Sequence, residues 1–186
     1  MKHTLIIAGL ALLSFSSCKN STGGDTAGKV DDAISKAEKN KKVVMAFMEN
    51  VNAHNVSAVY ASASPDFIEY QDGSSSPQKI DEIKKTTDEF FKSFPDIKGD
   101  NQVYYADGNT VLVKSDWSMT FKNDLGTIKA TGKTAKFTDI DMFTLNDSGI
   151  INTHRSIYPG GTIMKLVGVD ISKLPSTDGL KEEKKK

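Results

Sequence analysis

Between Asn101 and Tyr158 the chain carries four strand-like segments separated by three turn signals: Asp107-Gly108-Asn109, Asn123-Asp124-Leu125-Gly126 and Asn146-Asp147-Ser148-Gly149. Gly, Asn and Asp tolerate the backbone conformations that reverse a strand. Strands joined by connections this short pair antiparallel, because a parallel return needs a crossover of a dozen or more residues. The stretch therefore predicts a four-strand antiparallel meander. Such a sheet needs an apolar layer to cover it, and the preceding chain supplies helical segments with apolar stripes. The predicted class is α+β: a curved antiparallel sheet wrapped around N-terminal helices, with an internal pocket between them.

The helices are read from spacing. Val44, Phe47, Met48 and Val51 fall on one face of a helix over Asp31 to Asn55. Asn55 caps a second, short helix that carries Ala58, Val59 and Tyr60. Ser64-Pro65-Asp66 breaks it, and Phe67 to Tyr70 reads as a strand. Ser76-Pro77 is a helix start, with Ser76 as cap and Pro77 in the first turn. Ile80, Ile83, Thr87, Phe90, Phe91 and Phe94 then form the buried side, and Pro95 ends it. After Tyr158, Pro159-Gly160-Gly161 turns the chain, and Ile163 to Val167 closes the domain. His54, at a helix end, reads as a cap or surface residue.

The first residues read as a targeting segment. Lys2 and His3 precede the apolar run Leu5 to Leu13, which is too short to span a membrane. Cys18, the single cysteine among 186 residues, sits at the expected cleavage point. This resembles a bacterial lipoprotein signal, in which the cysteine is lipidated; the alternative is an ordinary secretory signal with an incidental cysteine. The expected organisation is a signal peptide at 1–17, the lipidated Cys18 with a flexible tether at 18–28, one domain at 29–170 and a polar, Lys-rich tail at 171–186. The expected location is the bacterial cell envelope, held to the membrane through the lipid on Cys18. Lys+Arg and Asp+Glu both number 24, so no bulk charge attracts nucleic acid. No Gly-rich phosphate loop and no metal-ligand spacing occurs, so no metal or cofactor is expected.

Alternation along the strands selects an inside face. In the second strand Val111, Val113, Ser115, Trp117, Met119 and Phe121 share it, and Trp117 either fills the core or lines a cavity. In the third strand Phe137, Asp139, Asp141, Phe143 and Leu145 share one face. Ile140 and Met142 on the other suggest a strand covered on both sides. Carboxylates among phenylalanines must be paired, hydrogen-bonded or protonated. In the last strand Asn152, His154, Ser156 and Tyr158 form a mixed polar row that suits a pocket wall or a solvent-facing strand.

Several phrases, in this order, are similar to the nuclear transport factor 2-like superfamily, and more closely to its SnoaL-like (polyketide cyclase-like) branch. They are Phe47-Met48-Glu49-Asn50-Val51-Asn52-Ala53-His54-Asn55, Pro65-Asp66-Phe67-Ile68-Glu69-Tyr70, Phe94-Pro95-Asp96-Ile97, Ala130-Thr131-Gly132-Lys133, Ile140-Asp141-Met142-Phe143 and Asp147-Ser148-Gly149-Ile150-Ile151. The likeness spans roughly Lys39 to Gly168. It implies a cone: a strongly bent sheet around helices, with a cavity at the open end. In the related ketosteroid isomerases an aspartic acid on the penultimate strand donates a hydrogen bond to an oxyanion, and Asp141 matches it. The resemblance then turns Asp139, Phe143, His154, Ser156 and Tyr158 inward. The isomerases' general-base aspartate is matched by Tyr70, which is no base near neutral pH. Where the cyclases carry a tryptophan and then an acid on the last strand, Arg155 and Pro159 stand here.

The expected site is therefore a ligand pocket lined by Tyr70, Trp117, Asp139, Asp141, Phe143, His154 and Tyr158. Three functions stay open. The first is a non-catalytic module binding a small, partly apolar ligand. The second is a lyase, isomerase or hydrolase acting on a carbonyl compound, with His154 as acid or base and Asp141 as oxyanion donor. The third is an interaction domain that forms a homodimer through the outer sheet face, near Lys114, Asp116, Thr138 and Arg155.

Overall fold

The structure, a computed structural model, describes residues 24–70, 78–158 and 160–173. The expected signal peptide, Cys18, the Ser76-Pro77 helix start and the tail beyond Lys173 lie outside the described residues. Helix α1, Gly24–Asn52, begins within the stretch read as a tether. Its Val44, Phe47 and Met48 are buried, at the spacing the sequence shows. Helix α2, Val56–Val59, starts where expected, and the Asn55 Oδ1 accepts from the Ala58 N–H at 3.1 Å.

Strand β1, Ala63–Tyr70, starts earlier than expected and takes in Ser64-Pro65-Asp66. Pro65 fits because the pairing of β1 with its neighbour is interrupted between Ala63 and Ile68, so its missing N–H leaves no ladder bond open. A short strand β2, Gln78–Lys79, precedes helix α3, Ile80–Ser93. That helix starts later than Pro77, with Lys79 at the N-cap position and no side-chain cap. Ile83 and Phe91 are its buried apolar residues, and Phe94 at its C-terminal cap is wholly buried.

The meander forms as expected: β3 (Lys98–Asp107), β4 (Thr110–Thr120), β5 (Thr134–Leu145) and β6 (Ile151–Ser156) pair antiparallel in sequence order. Strand β1 then pairs with β6 in parallel, which makes a six-stranded mixed sheet ordered β2-β1-β6-β5-β4-β3. The fold is α+β, with N-terminal helices against a curved, open sheet. Helix α4, Gly160–Leu166, ends at Gly168, whose φ of +80° lets the Val169 N–H reach back to the Met164 carbonyl.

Two apolar clusters fill the space between helices and sheet. One gathers Val44, Phe47, Met48, Phe67, Val111, Val113 and Phe143; the other gathers Phe91, Phe94, Met119, Phe121 and Val167. Trp117 packs against both. Below it the chain comes close: a Cβ on Gly99 would stand 3.1 Å from the indole. Asn52, at the end of α1, holds the Gly99 backbone from both sides, accepting from its N–H at 2.8 Å and donating to its carbonyl at 2.9 Å.

Irregularities in three strand pairs set which side chains face in. On β6 one extra residue, Asn152, lies between the pairs Leu145–Ile151 and Thr144–Thr153. It reverses the alternation, so Ile151 is wholly buried although the simple reading groups it with the outer residues. His154 and Ser156 remain inward. On β3 the pairs Asp100–Asp116 and Val103–Lys114 leave one extra residue, with Asn101 at φ +51°, and thereafter Gln102, Tyr104 and Ala106 face in. The third is the interruption on β1 described above. On β5 the outer face is not covered as expected, because Ile140 is exposed.

Candidate functional site

The polar centre of the interior is an imidazole between two carboxylates. Pairing of β1 with β6 sets Glu69 beside His154, and the Asp141–Ser156 and Phe143–His154 pairs bring Asp141 to the same ring. His154 Nδ1 lies 2.7 Å from Glu69 Oε1, and Nε2 lies 3.0 Å from Asp141 Oδ1. Burial pulls the imidazole pKa down. The Glu69 charge and the hydrogen bonds to Asp141 and Glu69 outweigh that and raise it to about 10. At neutral pH both nitrogens therefore carry protons and both donate. The two nitrogens point apart, so the three side chains do not converge on a common point. Among the described residues no group of three such side chains could hold a metal ion.

Two residues along β5, Asp139 is 5% exposed. It accepts from the Ser156 hydroxyl, from the Tyr158 N–H at 2.9 Å and from the Ile140 N–H at 2.6 Å. Burial, and then the neighbouring Asp141, still push its pKa above the usual carboxylate range. On β3 the Tyr104 hydroxyl donates to Gln102 Oε1 at 2.7 Å. Burial, then the charges of Glu49 and Asp141, raise that phenol to about 12.

Three buried polar atoms on this inner face find no partner among the described residues: Asp141 Oδ2, Ser115 Oγ and Gln102 Nε2. Ser115 stands opposite Asp139, and Gln102 Nε2 lies near Gly99, under the Trp117 ring. Such atoms cost free energy unless something meets them. The inner end of the cone, by contrast, is filled. Phe143 stacks on His154 with ring centres 4.5 Å apart, and Phe47 packs edge-on against Phe143 at 5.1 Å, 6.1 Å from the imidazole. What remains toward the mouth is the half-buried Trp117, together with Phe137 packed on Tyr158 at 4.8 Å.

The expected site residues divide accordingly. Asp139, Asp141, His154 and Tyr158 come together, and Trp117 lies on the same inner face. Phe143 is there too, as packing against the imidazole. Tyr70 is not: it pairs with Arg155 on the opposite face, and the guanidinium sits 4.5 Å from its ring centre. The inward residue of that strand is Glu69. Alternation from the buried Phe67 points to it, since Phe67 and Glu69 share a face. Ser115 was on the inside face by alternation, but Gln102 and Tyr104 depend on the β3 irregularity and carry no such signal. His54 caps the C-terminal end of α1, as one of its two expected roles has it: its φ is +54°, its N–H donates to the Val51 carbonyl and the next N–H, of Asn55, to the Asn50 carbonyl. It stacks on Phe91 at 4.8 Å and its Nε2 lies 2.9 Å from the Ile97 carbonyl.

The family model described as SnoaL-like polyketide cyclase matches residues 42–165. This chain belongs to the SnoaL-like polyketide cyclase family. Solved structures show the same fold at low sequence identity. A candidate polyketide cyclase from Jannaschia sp. CCS1 superposes with a TM-score of 0.64 at 15% identity, covering 75% of this chain and 96% of that one. One from Pseudomonas putida KT2440 gives 0.60 at 19% identity, over 69% and 97% of the two chains. AclR, a candidate hydroxylase from Streptomyces galilaeus, gives 0.61 at 16% identity, over 75% and 88%. No curated protein matches the chain in sequence.

Both imidazole nitrogens are engaged, Nδ1 by Glu69 and Nε2 by Asp141 Oδ1, which leaves Asp141 Oδ2 as the free polar atom of the three side chains. Two open grooves lie elsewhere on the described surface. One, of about 400 Å³, runs between α1 and the β5–β6 turn beside Lys36 and Asp147. The other, of about 470 Å³, follows the β1–β6 interruption beside Ser64 and Asn152.

Proposed function

We propose that this SnoaL-like chain is a non-catalytic, lipid-anchored domain of the bacterial cell envelope that binds a small, partly apolar ligand at the mouth of the cone. The observation that carries the reading is the set of three buried atoms without a partner among the described residues, Asp141 Oδ2, Ser115 Oγ and Gln102 Nε2, on the inner face that also carries Trp117. A ligand with a polar end and an apolar body meets both needs. Relatives named as candidate cyclases and hydroxylases support a small organic molecule as the occupant. Trp117 is the single tryptophan, so its fluorescence reports occupancy directly. The test is a screen of small aromatic alcohols, ketones and amines against that signal, with recovery of each bound compound by mass spectrometry. Saturable quenching with the compound recovered unchanged supports the reading. Absence of any saturable response overturns it, and a converted compound overturns the non-catalytic part.

Catalysis on a carbonyl compound is the second reading, and one observation favours it. Asp141 is held by an imidazolium through one oxygen and has the other free, which suits a base rather than the oxyanion donor first expected. Under it, Asp141→Asn abolishes deuterium exchange next to the carbonyl of a bound ketone.

The lipid anchor is tested by palmitate labelling of cells expressing the full chain, where Cys18→Ser removes the label. A homodimer through the outer sheet face is supported by the apolar residues exposed there, among them Tyr105 at 62% and Ile157 at 52%.

A further inference from the structure

The interior of the cone is furnished with acids and has no free base. Glu69 and Asp141 flank His154, Asp139 follows on the same face, and Glu49 adds its charge at Tyr104 from α1. The cations of the sheet all lie outside. Lys98 and Lys136 both pair with Ser118, Lys114 pairs with Ile140 and Arg155 with Met142, all on the outer face. His154 is the exception, and its two N–H groups are already given to Glu69 and Asp141. Glu69, His154 and Asp141 together carry a net negative charge, and one oxygen of the 5%-exposed Asp141 has no donor.

An anionic ligand entering here would meet carboxylates and no available cation, which is a strongly unfavourable burial. A cationic one would neutralise the excess charge and supply the missing donor. Aromatic ring faces attract cations too: on the same inner face Tyr104 lies across β4 from Asp141, and Trp117 with the Phe137–Tyr158 pair follows further along β4 and β5. We propose that the ligand is an organic ammonium ion: a protonated amine on an apolar or aromatic body, with the amine donating to Asp141 Oδ2 and the body lying against Trp117. An oxygen on the same molecule answers Gln102 Nε2. This rests on the interior-site reading above and specifies its ligand class.

Three probes with similar bodies separate the charge states: 2-phenylethylamine, 2-phenylethanol and phenylacetate. Each is titrated into the full chain at neutral pH while Trp117 fluorescence is followed. The amine is expected to bind at least tenfold tighter than the alcohol, with phenylacetate weakest. In Asp141→Asn the advantage of the amine over the alcohol is expected to fall below threefold. Glu49→Gln, an exposed change, keeps the test alive if Asp141→Asn does not fold; it is expected to weaken the amine alone, by two- to threefold. Phenylacetate binding as tightly as the amine overturns the proposal, and so does an amine preference that survives both substitutions. Equal binding of amine and alcohol overturns the charge selection and leaves the interior site standing. No binding by any of the three overturns both.

Discussion

Glu69 and His154 sit side by side on neighbouring parallel strands, and the Nδ1 of one lies 2.7 Å from the Oε1 of the other. Each side chain is 15% exposed, so the pair is largely out of water. With Asp141 on the second nitrogen, this contact makes His154 an internal cation rather than a titrating base.

That state has a pH signature. His154 has a folded pKa of about 10, above its ordinary value of 6.5. A group raised on folding contributes stability that is fully present below the unfolded value and is lost as pH rises through the folded one. Stability is therefore expected to decline between about pH 6.5 and pH 10 on this group's account. Glu69→Gln removes part of the upward pull and moves the decline to lower pH. It also costs about 2 kcal/mol at neutral pH, as expected for a lost hydrogen bond to a charged group. Urea unfolding of both proteins across that range checks this, and parallel profiles would count against it.

The two faces of the sheet separate binding from packing. Tyr70 lies under Arg155 on the outer face, whereas Gln102 lies inside beneath Trp117. Tyr70→Leu is expected to leave the affinity of a Trp117-quenching probe within twofold, and Gln102→Leu to weaken it about tenfold, the loss of one good hydrogen bond. Fluorescence titration of the two variants decides; equal effects would place the ligand elsewhere.

Asn52 fastens α1 to β3 by bonding both ends of Gly99, directly below the indole. Asn52→Ala is expected to cost roughly 2 kcal/mol, from two bonds at about 1 kcal/mol each. It should also shift Trp117 emission to the red as the ring loosens. A stability loss with unchanged emission would mean that the clamp does not position the tryptophan.

Phe143 is wholly buried and stacked on the His154 ring. Phe143→Ala is expected to destabilise by about 3–5 kcal/mol, the usual range for a buried phenylalanine. The space it opens at the inner end should admit bulkier probes than the native protein does. Thermal unfolding and probe titration together test both halves.

Outside the cone, Tyr105, Leu112, Met142 and Arg155 follow one another across four strands on the outer face. If this face joins two copies, Tyr105→Glu converts a dimer to a monomer in sedimentation without changing Trp117 quenching. A native chain that sediments as a monomer at all concentrations would rule the dimer out.

Period-two spacing and turn residues determined much of this protein. Four strands divided by Asp-Gly-Asn, Asn-Asp-Leu-Gly and Asn-Asp-Ser-Gly were legible because chain-reversing residues separate them, although the β4–β5 connection runs over 121–133 rather than through one tight turn. The inward set Val111, Val113 and Ser115 was legible because a pleated strand alternates strictly where it is regular, whereas alternation only grouped Asp139, Asp141 and Phe143 on one face and the family resemblance turned that face inward. Tertiary structure decided the rest where regularity failed. The extra residues near Asn101 and Asn152 reversed the faces of β3 and β6, which turned Gln102 inward and buried Ile151. The long-range pairing of β1 with β6 set Glu69, inward by alternation from Phe67, directly beside His154. A bulge depends on how two distant segments compete for hydrogen bonds and burial, so it leaves little trace in the local pattern of either one. The same holds for the charge on His154, which no property of its own segment dictates and which two carboxylates from other strands impose.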